Sequence, residues 1–354
     1  MKSLLLQGDT IKGLILLGGF GTRLRPFTLT TPKSLLPVAC VPLIYYQFEL
    51  LSKYGINDVV LAINPHCRKY RELFSMAKSL GIKLYLSCEK KPMGTAGAIK
   101  NAKKFLQDGP FFVFNGDILT DCNLTEMLHF HKNCGADVSI AGVKVENPNH
   151  FGVMIFDQNN RIHNFIEKPQ QPVSNIINAG IYIIQPDVLD EIPAGRETSI
   201  EKETFPQLIK KGRHVSVYLH SGYWMDVGTI ENYRKANFDA VDGKMKIEYR
   251  KDHCTVSSAK NVQCEGKLKA ADSVMFGKNV IIRGTVIIGD NCYIGNGSVL
   301  QDVILFKDVF IRQNCVIENS IVGNSVIIEE NCEVKNIAIG DKCHLCPHTR
   351  TIES

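Results

Sequence analysis

A six-residue repeat occupies the C-terminal part of the chain and restricts the possible folds more than any other feature of the sequence. Interrupted by shifts of one residue, apolar side chains recur at Phe276, Ile282, Ile288, Ile294, Leu300, Phe306, Ile311, Ile317, Val322, Ile328, Val334 and Ile339. A fixed short period indicates a solenoid, in which each repeat buries its apolar side chain by stacking on the next. Strand alternation with a period of two does not produce this spacing. The sequence therefore predicts a left-handed parallel β-helix with three repeats per coil over residues 246–354.

The repeat also explains several of the 12 cysteines in the chain. Four residues after an apolar repeat position lie Cys292, Cys315, Cys332 and Cys343. This position faces the narrow interior, where cysteine acts as a small hydrophobic residue, so we expect all four to be buried. The other cysteines are scattered, and the apolar stretch at residues 4–6 is too short for the core of a signal peptide. Reduced thiols and a cytoplasmic location are therefore expected.

Residues 1–245 show a different pattern, in which apolar strand-like runs alternate with helical spacing. Strands are predicted at 12–17, 58–63, 83–86, 111–115, 138–140, 152–156 and 180–184, and helices at 42–54, 70–80 and 96–105. Continuous apolar strands separated by helices favour a Rossmann-like, mostly parallel sheet with helices on both faces. In such α/β folds ligands bind beyond the carboxyl ends of the strands.

Composition and charge exclude several classes of protein. The content of 44% hydrophobic and 22% charged residues is that of a globular chain and not of a disordered one. The net charge of +5 is mild, and the basic residues form no block, so we expect no nucleic-acid partner. Since no run approaches the roughly 20 apolar residues of a membrane span, we expect no membrane insertion.

A glycine-rich segment follows the first predicted strand. It contains Gly18, Gly19 and Gly21, followed by the cations Arg23, Arg25 and Lys33. Glycines directly after a buried strand let backbone N–H groups approach a phosphate closely, and the cations add fixed positive charge. The spacing matches neither the Walker P-loop nor the dinucleotide-binding fingerprint. The segment is therefore predicted as a phosphate site of another type.

Two aspartates stand in comparable positions. Asp117 follows the predicted strand at 111–115, and Asp226 closes an aromatic and apolar segment that starts at Tyr223. Magnesium in phosphoryl-transfer sites is typically bound by one or two carboxylates together with substrate phosphates. Either aspartate could instead cap a helix. The shared position favours a magnesium site.

Three further polar segments lie at predicted ends of strands or helices. Glu167 can accept hydrogen bonds from sugar hydroxyl groups, and Lys168 can contact a phosphate. Asn178 opens another strand with an amide group. Gly94 and Thr95 begin a predicted helix, so we expect the N–H groups and the dipole of this turn to face a ligand. Each segment alone is equally consistent with a surface ion pair or a turn, but their common placement favours one binding site.

Together these residues resemble the nucleotide-sugar pyrophosphorylases, also called sugar-1-phosphate nucleotidylyltransferases. The resemblance covers residues 11–240 and the repeats of the tail. It is carried by residues 18–24 with 32–33, 94–97, 115–117, 167–169, 178–180 and 224–228, and by the run 198–206. Within the family the chain is most similar to the branch that makes GDP-mannose. The resemblance implies a catalytic domain at 1–245 and a β-helix domain at 246–354.

The resemblance also implies a role for each candidate residue. The catalytic residues at the phosphates would be Arg23, Lys33 and Lys168. The nucleotide would contact Leu17, Gly18, Gly19, Gly21, Thr22, Gly94, Thr95, Asn115 and Gly116. Gly152, Glu167 and Asn178 would line the sugar pocket, and Asp117 and Asp226 would hold the cofactor Mg²⁺.

The implied reaction is transfer of a nucleoside monophosphate from a nucleoside triphosphate to a sugar 1-phosphate. The leading expectation is GTP as the donor and mannose 1-phosphate as the acceptor. Alternatives within the family pair glucose 1-phosphate with dTTP, UTP or ATP. A non-catalytic regulatory subunit is a further alternative. The presence of the candidate cations and aspartates makes this alternative less favoured. An acyltransferase is the third, because such β-helices also host these enzymes, but the repeats carry no convincing catalytic histidine. We expect a homo-oligomer formed through the β-helix, because the ends and flanks of a solenoid expose stacked strands that suit symmetric self-association.

Overall fold

The computed structural model describes residues 11–64, 71–245 and 262–351. Packing divides the chain into two compact units. The first unit comprises Met1–Gly19 and Ile44–Trp224, and the second comprises Phe20–Leu43 and Met225–Ser354. Packing thus assigns residues 20–43 to the same unit as the repeats, which a single boundary along the sequence cannot express.

The described residues contain helices and strands with the following bounds. The helices are α1 Leu43–Lys53, α2 Arg71–Ser79, α3 Gly94–Asn101, α4 Leu124–Cys134, α5 Phe205–Lys210 and α6 Ile230–Val241. The strands up to residue 226 are β1 Lys12–Leu16, β2 Pro37–Val38, β3 Val41–Pro42, β4 Asp58–Ile63, β5 Lys83–Cys88, β6 Phe111–Asn115, β7 Ile118–Thr120, β8 Val138–Lys144, β9 Gly152–Phe156, β10 Ile162–Glu167, β11 Ile176–Ile184, β12 Val215–His220 and β13 Trp224–Asp226. Among these helices, none has the length and apolar character needed to cross a membrane.

The first unit is built on a nine-stranded sheet. Its main strand order is β10-β9-β11-β6-β1-β4-β5, with β8 paired to β11 and β12 paired to β8. β6, β1, β4 and β5 are parallel, whereas β11 is antiparallel to its neighbours. The predicted parallel core is confirmed, and the sheet as a whole is mixed because β11 reverses direction beside β6.

The central strand β6 shows why this sheet forms. Phe111, Phe112, Val113 and Phe114 are all at most 1% exposed. A strand that is apolar at every position requires cover on both faces of the sheet, which flanking helices provide. The strand ends at the polar residue Asn115. Its carboxyl end therefore lies at the edge of the sheet where ligands bind in α/β folds.

A buried histidine connects α4 to the sheet. His131 is 1% exposed, and its Nε2 lies 3.0 Å from the amide nitrogen of Gln185. Because that amide nitrogen can only donate, the His131 proton must lie on Nδ1, which donates to the Ser139 hydroxyl at 2.8 Å. Burial lowers the pKa of His131 to about 4.

We expect this histidine to make the first unit sensitive to acid. The unfolded chain binds a proton on His131 near pH 6.5, whereas the folded chain does so only near the lowered pKa. Stability therefore falls as the pH drops below 6.5, by roughly 2–3 kcal/mol at pH 4. Urea unfolding followed by fluorescence of Trp224, the single tryptophan, measures this loss. The loss between pH 7 and pH 4.5 should shrink in His131→Gln, and an unchanged loss would contradict the assignment.

The repeats of the second unit form a parallel β-helix, as predicted. Its strands are β14 Val262–Ala270, β15 Met275–Phe276, β16 Val280–Ile288, β17 Tyr293–Ile294, β18 Val299–Gln301, β19 Ile304–Leu305, β20 Phe310–Ile311, β21 Val316–Glu318, β22 Ile321–Val322, β23 Ile327–Ile328, β24 Glu333–Lys335, β25 Ala338–Ile339 and β26 His344–Leu345. One ladder is β15-β17-β20-β23-β26, and the other runs β24-β21-β18-β16-β19-β22-β25. All neighbouring strands in both ladders are parallel, for example β17 and β20.

One predicted repeat position is wrong by one residue. Ile288 aligns with Leu305, which aligns with Val322, so Leu305 and not Phe306 fills the interior column. The corner at Asp302, which has a φ of 53°, takes up the one-residue shift before β19. Asparagine and aspartate tolerate this left-handed conformation better than most residues, so the position of the corner decides which side chain points inward.

The displaced Phe306 attaches other parts of the second unit to the β-helix. Its ring centroid lies 5.0 Å from that of Phe27 and 6.1 Å from that of Tyr233 on α6. Arg234 on the same helix donates from Nη2 to the carbonyl oxygen of Asn319 at 2.6 Å. These contacts explain why residues 20–43 and α6 pack with the repeats.

Three of the four interior cysteines were placed correctly. Cys292, Cys315 and Cys332 are at most 1% exposed, which confirms them as packing residues. Cys343 is exposed, and the prediction for it was wrong. Cys343 directly precedes β26, which is the last strand of its ladder. No further coil of the described ladder therefore covers the Cys343 side chain. The ten cysteines of the described residues are free thiols.

Candidate active site

The candidate residues are distributed over the two units. The first unit contains Leu17, Gly18, Gly19, Gly94, Thr95, Asn115, Gly116, Asp117, Gly152, Glu167, Lys168 and Asn178. The second unit contains Gly21, Thr22, Arg23, Lys33 and Asp226.

The turn after β6 packs against the segment that follows β1. Gly116 N–H donates to the carbonyl oxygen of Leu16 at 3.0 Å. A Cβ on Gly116 would lie 2.5 Å from that oxygen and 2.5 Å from Cδ2 of Leu17, so the close approach requires glycine. The Gln47 amide donates to the carbonyl oxygens of Asn115 and Ile118 at 2.8 and 3.0 Å. This bracing fixes the backbone on both sides of Asp117.

The Gly94 turn is held by a loop from a distant part of the sequence. Gly94 has a φ of 68°, and a Cβ there would lie 2.5 Å from the carbonyl oxygen of Thr198. That oxygen accepts the N–H groups of Ala96 and Gly97 at 3.0 and 3.3 Å. The helix begins at Gly94, as the glycine turn predicted, whereas the apolar spacing placed its start at residue 96. The expectation that the N–H groups of this turn face a ligand was wrong for Ala96 and Gly97.

Glu167 lies against a glycine that its neighbours require. A Cβ on Gly152 would lie 2.5 Å from Cζ of Phe165 and 2.8 Å from Oε2 of Glu167. Burial raises the pKa of the Glu167 carboxyl, and the charge of Glu201 raises it further, while Lys168 opposes both effects. An ionised carboxylate accepts hydrogen bonds from hydroxyl groups.

Lys168 has a backbone conformation that lysine rarely adopts. Its φ is 51°, its N–H donates to the carbonyl oxygen of Phe151 at 3.1 Å, and its Nζ lies 3.6 Å from Oε1 of Glu167. Its side chain is 61% exposed. Glycine would adopt this φ without strain, so the ammonium group at this position points to a function.

Asn178 is held by hydrogen bonds at both ends of its amide. Its Nδ2 donates to the Tyr182 hydroxyl at 2.9 Å, and its Oδ1 accepts the N–H of Gly180 at 2.9 Å. The φ of Gly180 is 72°, and a Cβ there would lie 2.8 Å from the amide nitrogen of Asn115. The indole N–H of Trp224 donates to the carbonyl oxygen of Ala179 at 2.9 Å. The structure thus brings the Asn178 segment next to the turn after β6.

Within the second unit, the Arg23 guanidinium lies near Asp226, and Lys33 lies beside Gly21. A Cβ on Gly228 would lie 2.8 Å from Oδ1 of Asp226 and 2.9 Å from Nη2 of Arg23. Gly21 has a φ of 61°, and a Cβ there would lie 3.2 Å from Cβ of Lys33. Arg23 belongs to a short 3₁₀ turn, Thr22–Leu24, anchored by the fully buried Leu24. The small space above Gly228 is therefore bounded by a guanidinium and a carboxylate.

The sequence analysis missed Glu89, which follows directly after β5. It is 5% exposed, its Oε2 accepts the N–H of Met93 at 3.1 Å, and its Oε1 would lie 3.5 Å from a Cβ on Gly18. Burial raises the pKa of this carboxyl. The rule that ligands bind at the carboxyl ends of strands would have selected it, since it stands one residue beyond Cys88.

The fold and these residues are those of a nucleotide-transferring enzyme. The sequence pattern of the nucleotidyl transferase family matches residues 12–243, and that of the GMPPB C-terminal domain matches residues 264–351. The chain belongs to the nucleotidyl transferase family.

Several curated proteins and solved structures are similar to this chain. The mannose-1-phosphate guanylyltransferase catalytic subunit beta of Danio rerio is 39% identical over 286 residues, which cover 80% of this chain and 74% of that protein. Mannose-1-phosphate guanylyltransferase 1 of Arabidopsis thaliana is 38% identical, with 86% and 83% coverage. The Drosophila melanogaster subunit beta is 44% identical over 64% of this chain and 62% of that protein. HddC from Yersinia pseudotuberculosis complexed with GMP-PN has a TM-score of 0.56 at 27% identity, covering 65% of this chain and 99% of that one.

Proposed function

We propose that this protein transfers GMP from GTP to mannose 1-phosphate, giving GDP-mannose and pyrophosphate. The proposal is supported by the close backbone approaches at Gly116 and Gly94 and by the pair of Glu167 and Lys168, all in the first unit. The Danio rerio and Arabidopsis relatives, named for this reaction, match most of the chain. We also propose the sequence ranges 1–245 and 246–354 as the catalytic and β-helix domains.

The proposed reaction needs no covalent intermediate. A phosphate oxygen of the sugar 1-phosphate attacks the α-phosphorus of the nucleotide in line, and the bond to pyrophosphate breaks. Because the attacking oxygen is already anionic, no general base is required. The rate then depends on the alignment of the two substrates and on neutralisation of charge.

In this proposal each cation serves a different phosphate. Arg23 and Lys33 neutralise the triphosphate and the charge that grows on pyrophosphate as it departs. Lys168 holds the phosphate of the sugar 1-phosphate, and Glu167 accepts hydroxyl hydrogen bonds from the sugar together with Asn178 and the backbone at Gly152. Leu17, Gly18, Gly19, Gly21, Thr22, Gly94, Thr95, Asn115 and Gly116 contact the nucleotide.

Glu89 supports guanine as the base. An ionised carboxylate only accepts hydrogen bonds, and guanine presents a ring N–H beside an amino group. Glu89 has one oxygen next to Gly18 and the other tied to Met93, so its orientation is fixed before the base arrives. A carboxylate in this position would accept a hydrogen bond from guanine at its free oxygen.

A substrate panel tests the proposed function. We expect pyrophosphate release with GTP and mannose 1-phosphate to exceed that with ATP, UTP or dTTP and with glucose 1-phosphate. In Glu89→Gln the preference for GTP should fall, because the amide places a donor where an acceptor was. Glu72→Gln, on the surface of α2, is the matched control. A preference for another nucleotide in the unaltered protein would overturn the assignment to GTP.

We propose Mg²⁺ as the cofactor, held by Asp117 and Asp226. The donor set fits, since it consists of carboxylate and phosphate oxygens, which hard cations prefer. When bound, the ion would neutralise charge on the phosphates and help to align them.

We expect activity to be lost in excess EDTA and restored by Mg²⁺. Asp226→Asn should raise the Mg²⁺ concentration needed for half-maximal rate at least about tenfold, because one charged ligand is removed. Asp242→Asn, whose carboxylate lies in a surface ion pair with Lys267, is the control. Full activity in EDTA would exclude the two-aspartate site.

We further propose a homo-oligomer, formed through the β-helix, in the cytoplasm. One ladder aligns Met275, Tyr293, Phe310, Ile327 and His344 on its outer side. Of these, Met275 is 62% and Phe310 and Ile327 are each 39% exposed. An apolar row of this kind is suited to self-association, and the free thiols fit a reducing compartment.

Phe310→Glu in the full-length protein should lower the oligomer size measured by light scattering. The full chain is preferable to a truncated one, because removal of the repeats would also remove Phe306 and uncover Phe27 and Tyr233. Turnover per protomer should remain measurable. An oligomer of unchanged size would show that this row is not the interface.

A further inference from the structure

We propose that Glu201 is a positioning residue that couples the nucleotide subsite at Gly94 and Thr95 to the sugar subsite at Glu167. This inference rests on the proposed function for the identity of the two subsites. It goes beyond that function because it assigns a role to a side chain that the proposed reaction does not itself require.

The first observation is a direct link between Glu201 and the nucleotide turn. The Thr95 hydroxyl donates to Oε2 of Glu201 at 2.9 Å and accepts the N–H of Ile200 at 2.8 Å. The Ser199 hydroxyl donates to the same Glu201 oxygen at 2.9 Å. The Thr95 hydroxyl is thus hydrogen-bonded within the segment that carries Glu201.

The backbone of the same segment is fastened to the turn as well. The carbonyl oxygen of Thr198 accepts two N–H groups from the start of α3, and Thr198 N–H donates to the carbonyl oxygen of Met93 at 2.9 Å. These hydrogen bonds, together with the close approach at Gly94, fasten the two segments to each other. A displacement of the turn by a nucleotide would therefore move Glu201.

The second observation is the position of Glu201 beside the sugar subsite. Residues Ile200–Thr204 form a single π-helical turn, which packs against both α3 and β10. Burial raises the pKa of the Glu167 carboxyl at the end of β10, and the charge of Glu201 raises it further. Burial raises the pKa of the Tyr182 hydroxyl, which accepts a hydrogen bond from Asn178, and the charges of Glu201 and Glu167 raise it further. Such π-turns occur frequently at functional sites.

These contacts give Glu201 the means to transmit a change in both directions. When the nucleotide orders the Gly94 turn, the Thr95 hydroxyl fixes the position of Glu201, and with it the negative charge that acts on Glu167 at the sugar subsite. Coupling between two binding sites is reciprocal, and it is commonly 5–150-fold. Each substrate should therefore increase the affinity for the other.

The test is calorimetry on the full-length protein with Mg²⁺. The probes are mannose 1-phosphate and a GTP analogue with a methylene bridge between the α and β phosphorus atoms. In the unaltered protein we expect mannose 1-phosphate to bind at least about 5-fold more tightly when the analogue is present. In Thr95→Val this factor should fall below about 2-fold, because the variant keeps the shape but loses the hydroxyl. Thr95→Ser should restore it.

Glu203→Gln is the matched control, since Glu203 lies on the same turn and accepts the Ser199 N–H at 3.0 Å without touching Thr95. It should retain the coupling of the unaltered protein. If Thr95→Val does not fold, Glu201→Ala cuts the link from the other side and should give the same loss. A factor near 1 in the unaltered protein, an unchanged factor in the link variants, or an equal loss in Glu203→Gln would each overturn the proposal. Failure of the proposed function is separate, since it would appear as no turnover of GTP with mannose 1-phosphate.

Discussion

Arg23→Ala is expected to lower kcat by roughly 10²–10³-fold while changing both KM values much less. The reason is that negative charge on the departing pyrophosphate increases in the transition state, where a fixed guanidinium is worth most. Arg23 is suited to this role because its short turn is anchored by buried Leu24 and its guanidinium lies near Asp226 above Gly228. An interaction made mainly in the transition state affects kcat and kcat/KM together.

Steady-state kinetics with each substrate varied in turn measures this effect. Arg25→Ala is the matched comparison, because Arg25 is an exposed cation two residues away in the same loop, and its removal should cost far less. Arg23→Lys should recover only part of the rate, since an ammonium cannot form the two parallel hydrogen bonds of a guanidinium. Equal losses in Arg23→Ala and Arg25→Ala would mean that the loop acts through its total charge and that Arg23 has no special position.

The sequence was sufficient to predict those parts of the structure that depend on local chemistry. The apolar run of β6 required a strand covered on both faces, and the structure buries all four of its apolar side chains. The period of six similarly required stacked coils. In each case the residue type and its spacing restricted the backbone without reference to distant parts of the chain.

Features that depend on contacts between distant residues could not be predicted. The carbonyl oxygen of Thr198 accepts the first N–H groups of α3 from about a hundred residues away in the sequence. Because the sequence does not reveal this contact, the helix start alone suggested that a ligand accepts these N–H groups. The inward position of Leu305 depends on which corner residue takes the left-handed conformation. The burial of Glu89 beside Gly18 depends on the alignment of β1, β4 and β5 in the sheet. None of these follows from residue type and spacing alone.

Lys168→Ala is expected to raise the KM for mannose 1-phosphate about 10–100-fold, with a smaller effect on kcat and on the KM for GTP. The sugar phosphate carries its full charge before the reaction begins, so the ammonium should stabilise the ground state and the transition state alike. Hydrogen bonds to charged groups are worth about 1.5–3 kcal/mol, which corresponds to this range. The φ of Lys168 strains its backbone, and its side chain is largely exposed. A contact between the ammonium group and the substrate would explain why lysine stands at a strained position.

Lys168→Gly separates the ammonium from the backbone, because glycine adopts a φ of 51° without strain. If the KM depends on the ammonium, the glycine and alanine variants should show the same increase, although the glycine variant should be the more stable of the two by its melting temperature. Lys202→Ala is the control for general positive charge near Glu167 and should leave the KM within about 3-fold. If the KM and kcat of both Lys168 variants stay near those of the unaltered protein, Lys168 is a surface charge, and the phosphate of the sugar must be held by other groups.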